Sequence, residues 1–196
     1  MNRKQSIRLI LLVVLCAFAF SAQAQRRNQR YEEYIERYSP LAVEQMRVHK
    51  IPASITLAQG LLESGAGYSE LARKSNNHFG IKCGGRWNGP SVRHDDDARQ
   101  ECFRAYGNPV ESYEDHSLFL KRGARYAFLF DLDITDYKGW ARGLKKAGYA
   151  TDPSYANRLI TIVEDYELYK YDRARQRGGA YVPRVENIVI NPHQVY

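Results

Sequence analysis

Ile55-Thr56-Leu57-Ala58-Gln59-Gly60-Leu61-Leu62-Glu63-Ser64-Gly65-Ala66-Gly67 is an apolar run that ends on a carboxylate and then breaks into glycines. Positions 55, 58, 61 and 62 share one face at the helical period, and Glu63 stands where that face meets the break. A carboxyl half buried at such a point is desolvated, which disfavours its charged form. It then holds a proton closer to neutral pH and can donate it to a leaving group. A negative charge at a helix C-terminus is also opposed by the helix dipole. Gly65 and Gly67 leave room for a bulky ligand beside it. The competing reading is a solvated surface charge, because charged residues are mostly exposed.

Upstream of this run, Tyr31, Tyr34, Ile35 and Tyr38 fall at helical spacing. Ser39-Pro40 has the cap-then-proline order of a new helix start, continued by Leu41, Ala42, Val43 and Met46 toward His49, and Pro52 opens the helix that ends at Glu63. Downstream, from Asn76 to Gly107, the chain turns to short segments rich in glycine, aspartate and aromatics. Trp87-Asn88-Gly89-Pro90 reads as a turn, and Ser91 to Asp95 pairs with Glu101 to Tyr106 as a hairpin across Asp96 to Gln100. Helical texture resumes at Ser112, a candidate cap, and again from Asp136 to Ala147, closed by Gly148. Pro153 starts an amphipathic helix with Leu159, Ile162, Val163, Tyr166 and Tyr169 at spacings of three and four, and Trp140 reads as core. The fold class is α+β, mostly helical with one small β-hairpin lobe.

The N-terminus carries Arg3, Lys4 and Arg8, an apolar stretch from Leu9 to Phe20, and Ala22-Gln23-Ala24, the pattern of a secretory signal peptide. Twelve apolar residues are too few for a membrane span, which needs about 20. Cys16 raises the alternative of a lipid anchor, but Leu15 before it is not the small residue such a signal requires. The expected organisation is a signal peptide over 1–24, a flexible lead over 25–33, one domain over 34–172, and a basic tail or added strand over 173–196. Cleavage after Ala24 takes three positive charges from a net +7 and leaves +4. In an exported, envelope-associated protein this balance favours acidic envelope polymers and gives no reason to expect nucleic acid. Cleavage also leaves two cysteines, Cys83 and Cys102, an even pair that reads as a disulfide in an oxidising compartment, with two reduced thiols as the alternative.

Several chemistries are missing their signatures. The five histidines, His49, His78, His94, His116 and His193, contain no H-E-x-x-H spacing, and no G-x-S-x-G elbow brackets a serine. The run Asp95-Asp96-Asp97 lacks the spaced oxygens of an EF-hand loop, and it stays open between a solvated turn, a metal site and an active-site carboxylate. His94 beside it reads as a surface histidine, and neither a metal nor a cofactor is expected.

Four segments, Ala58 to Gly65, Asn77 to Lys82, Phe103 to Tyr106 and Ala147 to Ala156, together resemble the glucosaminidase domain of glycoside hydrolase family 73, in order, across roughly Tyr34 to Tyr169. The resemblance implies a lysozyme-like fold and hydrolysis of the β-1,4 bond on the reducing side of N-acetylglucosamine in peptidoglycan; separately, a monomer is expected. The resemblance puts Glu63 in the general-acid position. The family commonly carries its second acid in a Thr-x-Glu-like strand, and the corresponding stretch here, Val92 to Asp97, has no such Glu. Asp96 is the first choice for that role, Asp97 the next and Glu101 the third. Without a second carboxylate in reach, the substrate's acetamido oxygen would attack the anomeric carbon instead. The resemblance places Tyr149 and Tyr155 along the cleft, with core packing as the alternative for Tyr155, and gives Asn77 and Phe79 to substrate binding at the cleft floor. Trp87 either packs the hairpin turn or touches glycan. Two other activities fit the same polymer: a lytic transglycosylase, and a silent glycan-binding scaffold.

Overall fold

The computed structural model describes residues 28–84, 87–96 and 98–173. The expected signal peptide, the tail from residue 174 and Asp97 lie outside the described residues.

Helix α1 spans Gln29–His49 and begins because the Asn28 side chain accepts a hydrogen bond from the Arg30 amide at 3.0 Å. The Asn28 amide in turn donates to the Tyr166 hydroxyl at 2.9 Å. Residues 29–33, expected in a flexible lead, therefore form the first turns of a docked helix. The restart expected at Ser39-Pro40 does not occur either, because Pro40 lies inside α1. A proline removes one helical hydrogen bond. Here the helix continues because Tyr34, Ile35, Leu41, Ala42 and Met46 bury one common face across the proline, so tertiary packing outweighs the local preference.

Helix α2, Ala53–Ser64, is buried at every position from Ala53 to Leu61. A helix apolar on all sides must be enclosed. It contacts α1, α5 (Tyr137–Lys146), α6 (Tyr155–Asp165) and a 3-10 segment at Leu168–Arg173. A short helix α3, Glu70–Ser75, leads into the β lobe, where β1 (Ser91–His94) pairs antiparallel with β2 (Glu101–Arg104) in the register Ser91 to Arg104 and His94 to Glu101. On the other side of β2, the Cys83 amide donates to the Cys102 carbonyl and the Arg104 amide to that of Ile81. Cys83 and Cys102 form a disulfide that clips these segments together.

Helix α4, Pro109–Arg122, starts three residues before the expected cap at Ser112. Asn108 caps it by accepting from the Glu111 amide at 3.2 Å, and the Glu111 carboxylate accepts back from the Gly107 amide at 3.0 Å. Ser112 is instead buried, its hydroxyl accepting from the His78 amide at 3.0 Å. A 3-10 helix at Ala124–Asp131, which periodicity did not reveal, buries Tyr126 and Leu129. Trp140 is fully buried, and α6 ends at Asp165, so Leu168 enters the core while Tyr169 is exposed.

The N-terminus of α2 has no cap of its own, since Pro52 lacks a capping side chain. Asp172 supplies one from the far end of the domain. Its carboxylate accepts from the Ser54 amide at 2.8 Å and the Ser54 hydroxyl at 2.6 Å. Burial pushes this carboxyl up to about 6 against the pull of the Ser54 donors. The native carboxyl thus keeps a proton that the unfolded chain releases near pH 4. Its contribution to stability is full below about pH 4 and is lost as pH rises through about 6. Asp172→Asn is expected to flatten the dependence of thermal midpoint on pH in that window, and Asp172→Ala to cost about 2 kcal/mol by leaving the helix end uncapped.

Candidate active site

Glu63 lies in the last turn of α2, and the chain leaves that turn sharply. Gly65 takes a left-handed conformation at φ 56°, which a glycine adopts at little cost, and the Ala66 amide returns to the Leu61 carbonyl at 2.9 Å. The Ser64 hydroxyl donates to the Gly60 carbonyl and accepts from the Gly67 amide at 2.7 Å. The result is a rigid rim with the Glu63 side chain half buried upon it.

The Tyr155 hydroxyl, from the first residue of α6, donates to Glu63 Oε1 at 2.9 Å and accepts from Gln59 Nε2 at 3.0 Å. Gln59 and Glu63 are four residues apart on α2, so both reach the same hydroxyl. Burial raises the Glu63 carboxyl above the ordinary carboxylate range. The Tyr155 hydrogen bond and the Arg158 charge pull it down, and the negative charge of Asp96 adds to the rise. Burial thus shifts Glu63 in the direction that favours its protonated form.

The aspartate run divides its labour. Asp95 closes the hairpin turn, its Oδ1 accepting from the Gln100 amide at 2.7 Å and the Gln100 side chain at 3.1 Å. Asp96 is half exposed, 3.3 Å from Lys82 Nζ, and its charge reaches Glu63. Glu101 accepts from the same Lys82 ammonium at 2.9 Å and from the Ala98 amide at 3.2 Å. Among the described residues, no group of three or more His, Cys, Asp or Glu is placed to hold a metal ion.

Tyr149 stacks on Tyr155 with ring centroids 5.7 Å apart, and its hydroxyl donates to the Phe79 carbonyl at 3.5 Å. Both tyrosines thus sit beside Glu63. Asn77 and Phe79 do not present side chains to a ligand. The Asn77 amide nitrogen donates to the Ile81 and Arg104 carbonyls at 3.0 and 2.9 Å, and its oxygen accepts from the Phe79 and Ile81 amides. Every hydrogen-bonding position of that side chain is used within the protein. The Phe79 ring is buried and stacks on His116 at 3.9 Å. Both residues therefore shape the floor from beneath, which corrects their expected part in direct binding. Trp87 packs the hairpin turn, its indole nitrogen donating to the Pro90 carbonyl and the Arg104 guanidinium stacking on its ring.

Sequence reasoning missed Gln59, Arg158, Lys82 and His116. The four-residue spacing of Gln59 and Glu63 was a readable signal. His116 is fully buried against Phe79 and Tyr149, and burial pulls its imidazole down to about 3, so it stays neutral.

The family model described as mannosyl-glycoprotein endo-beta-N-acetylglucosaminidase matches residues 39–168, a span that holds α2, the β lobe and both tyrosines of the site. The chain belongs to the glucosaminidase family. Among the curated relatives of this chain is the exo-glucosaminidase LytG of Bacillus subtilis, 34% identical over 181 residues, covering 85% of this chain and 64% of the relative. The peptidoglycan hydrolase FlgJ of Vibrio parahaemolyticus is 31% identical over 147 residues, covering 69% and 47%. The chain thus spans less than two thirds of these relatives' lengths. Among solved structures, a peptidoglycan hydrolase from Sphingomonas sp. A1 superposes with a TM-score of 0.62 at 31% identity, covering 74% of this chain and 97% of the other. The glycoside hydrolase domain of Salmonella typhimurium FlgJ does so with 0.58 at 29%, covering 71% and 90%.

The Tyr155 hydrogen bond favours the charged form of Glu63, so Tyr155→Phe is expected to raise the Glu63 pKa further. A general acid acts only while protonated, and the alkaline limb of the pH-rate profile should therefore move to higher pH in this variant. A limb that stays in place or moves down would remove Tyr155 from that role.

Proposed function

We propose that this glucosaminidase is an exported peptidoglycan hydrolase that cleaves, within glycan strands, the β-1,4 bond between N-acetylglucosamine and N-acetylmuramic acid. The observation that carries the reading is Glu63, a half-buried carboxyl at a helix end, raised by desolvation and gripped by the Tyr155 hydroxyl. Glu63 protonates the glycosidic oxygen as the bond breaks. Asp96, across from it on the hairpin, serves as the second carboxylate and activates the attacking water. Its charge stabilises the protonated form of Glu63 between turnovers. Tyr149, partly exposed, offers its aromatic ring to a sugar, while Tyr155, packed in the core at the start of α6, acts through its hydroxyl on Glu63. The protein acts as a monomer at the cell envelope, with no cofactor.

Purified sacculi lose turbidity with the wild-type protein, and Glu63→Gln lowers the rate at least about a hundredfold, as expected for loss of a general acid. Equal rates would remove Glu63 from its role, and an inert wild type would favour a glycan-binding scaffold. Product analysis separates the remaining readings. Reducing N-acetylglucosamine ends on oligosaccharides of mixed length support the endo-acting hydrolase. Single residues released from chain ends point to exo action, as in the name of the Bacillus relative, and anhydro-muramic ends identify a lytic transglycosylase.

The second carboxylate has its own test. Asp96→Asn is expected to lower kcat by about a hundredfold or more, and Glu101→Gln by much less, because the Asp96 charge acts on Glu63 while Glu101 is held by both Lys82 and the Ala98 amide. The reverse order would give the role to Glu101. Little loss in either variant would favour attack by the substrate's acetamido group.

A further inference from the structure

On the far side of Tyr149 lies a cavity of about 270 Å³ between the end of β2, the C-terminal half of α4 and the 3-10 helix at Ala124–Asp131. Arg104, Asp115, Phe119, Arg122, Arg125 and Tyr126 line it. Two of its charges cancel. Arg104 donates to both oxygens of Asp115 at 3.1 and 2.8 Å, and Asp115 also accepts from the Tyr106 hydroxyl at 2.6 Å. Arg122 and Arg125 are exposed and have no carboxylate partner among the described residues. Two free guanidinium groups over an apolar wall of Phe119 and Tyr126 form a site for an anion, and their planar forks fit a carboxylate.

The cavity is separated from the catalytic centre by a wall of packed tyrosines. Tyr126 lies 6.3 Å from Tyr149, ring to ring, and Tyr149 lies 5.7 Å from Tyr155, which holds Glu63. Arg125 reaches this junction as well, since its guanidinium is 4.0 Å from where a side chain on Gly148 would begin. We propose that Arg122 and Arg125 bind a carboxylate of the peptide stem carried by the muramic acid residue next to the scissile bond, and so make the enzyme prefer stem-bearing glycan. This rests on the peptidoglycan reading above. While the muramic lactyl group is tied up in its amide to the stem the sugars carry no free charge, and the stem is the attached group that brings carboxylates. An extended stem of four residues reaches about 14 Å, enough to span the two ring steps from the cleft.

The test uses the full chain and the double variant Arg122→Gln, Arg125→Gln on two substrates: glycan strands with uncrosslinked stems, and the same strands stripped of stems by an amidase and then capped as amides at the freed lactyl carboxylates. The wild type should show kcat/KM about tenfold higher on stem-bearing strands, as expected for a charge-assisted contact. The double variant should lose that preference while keeping its rate on stripped strands and its thermal midpoint. A retained preference, or an equal loss on both substrates, overturns the proposal. A binding measurement without turnover separates this failure from failure of the hydrolase reading. Muramyl tripeptide should bind the wild type about tenfold more tightly than its carboxamide form, and the double variant should not discriminate. Discrimination by a protein that cleaves no glycan would sink the hydrolytic reading and leave this site standing. Glu63-dependent hydrolysis without discrimination would sink this site alone. Tighter binding of glycerol 3-phosphate than of the tripeptide would assign the arginines to a phosphate polymer and also overturn the proposal.

Discussion

The helix that carries Glu63 is enclosed on all sides from Ala53 to Leu61, and this enclosure is the constraint on which the rest of the domain is built. Each fully buried Leu or Ile removes enough apolar surface from water to contribute about 1.5–3 kcal/mol. A helix with Ile55 and Leu57 on nearly opposite sides realises that contribution only inside a sleeve of other elements. Helices α1, α5 and α6 and the 3-10 segment at Leu168–Arg173 form that sleeve. Only the two ends of α2 are left for polar chemistry. Asp172 caps the first end, and the second opens onto the cleft, where Glu63 is desolvated by the same packing that holds the helix.

Enclosing an apolar rod does not by itself fix its rotation or depth. A buried polar cluster supplies that specificity. The Tyr34 hydroxyl, from α1, meets the Tyr113 hydroxyl of α4 at 2.8 Å and His78 Nδ1 at 3.0 Å. It lies so close to Gly60 that a side-chain carbon there would fall 2.4 Å from it. Glycine at this point of α2 is thus a requirement of close approach, not of backbone freedom. Burial raises the tyrosine pKa values and draws His78 down to about 4, so all three groups stay neutral and their hydrogen bonds persist across the physiological range. Since His78 begins the loop that holds Phe79, the cluster also registers the cleft floor against the Glu63 helix.

Where a single segment carried its own reason for its structure, the sequence was readable. The apolar run into Glu63, the hairpin across Asp96 to Gln100 and the helix closed by Gly148 are local patterns, and they form as expected. Pro40 misled because its conformation is decided by packing along α1, and Ser112 because its hydroxyl serves the His78 amide of a different segment. The Asp172 cap joins residues 118 apart in the chain. The same distinction holds in the site. Glu63 was legible from its helix, whereas Asn77 was read as a binding group because nothing local reveals that four backbone groups already occupy its amide.

The two walls of the cleft differ in how they treat charge, and this difference divides the roles of their acids. The α2 wall desolvates Glu63 and meets it with one neutral donor, Tyr155. The hairpin wall leaves Asp96 half exposed beside the Lys82 ammonium, which also neutralises Glu101. Without Lys82, two carboxylates on one short hairpin would repel each other and loosen the turn that carries them. With it, and with the disulfide clipping Cys83 to β2, the hairpin can hold a negative charge toward Glu63 without spreading. That charge makes it harder for Glu63 to ionise, so the hairpin wall favours the protonated form of the acid on the α2 wall. The asymmetry follows from burial on one side and solvation on the other, and a pair of equally exposed carboxylates in the same positions would lack it.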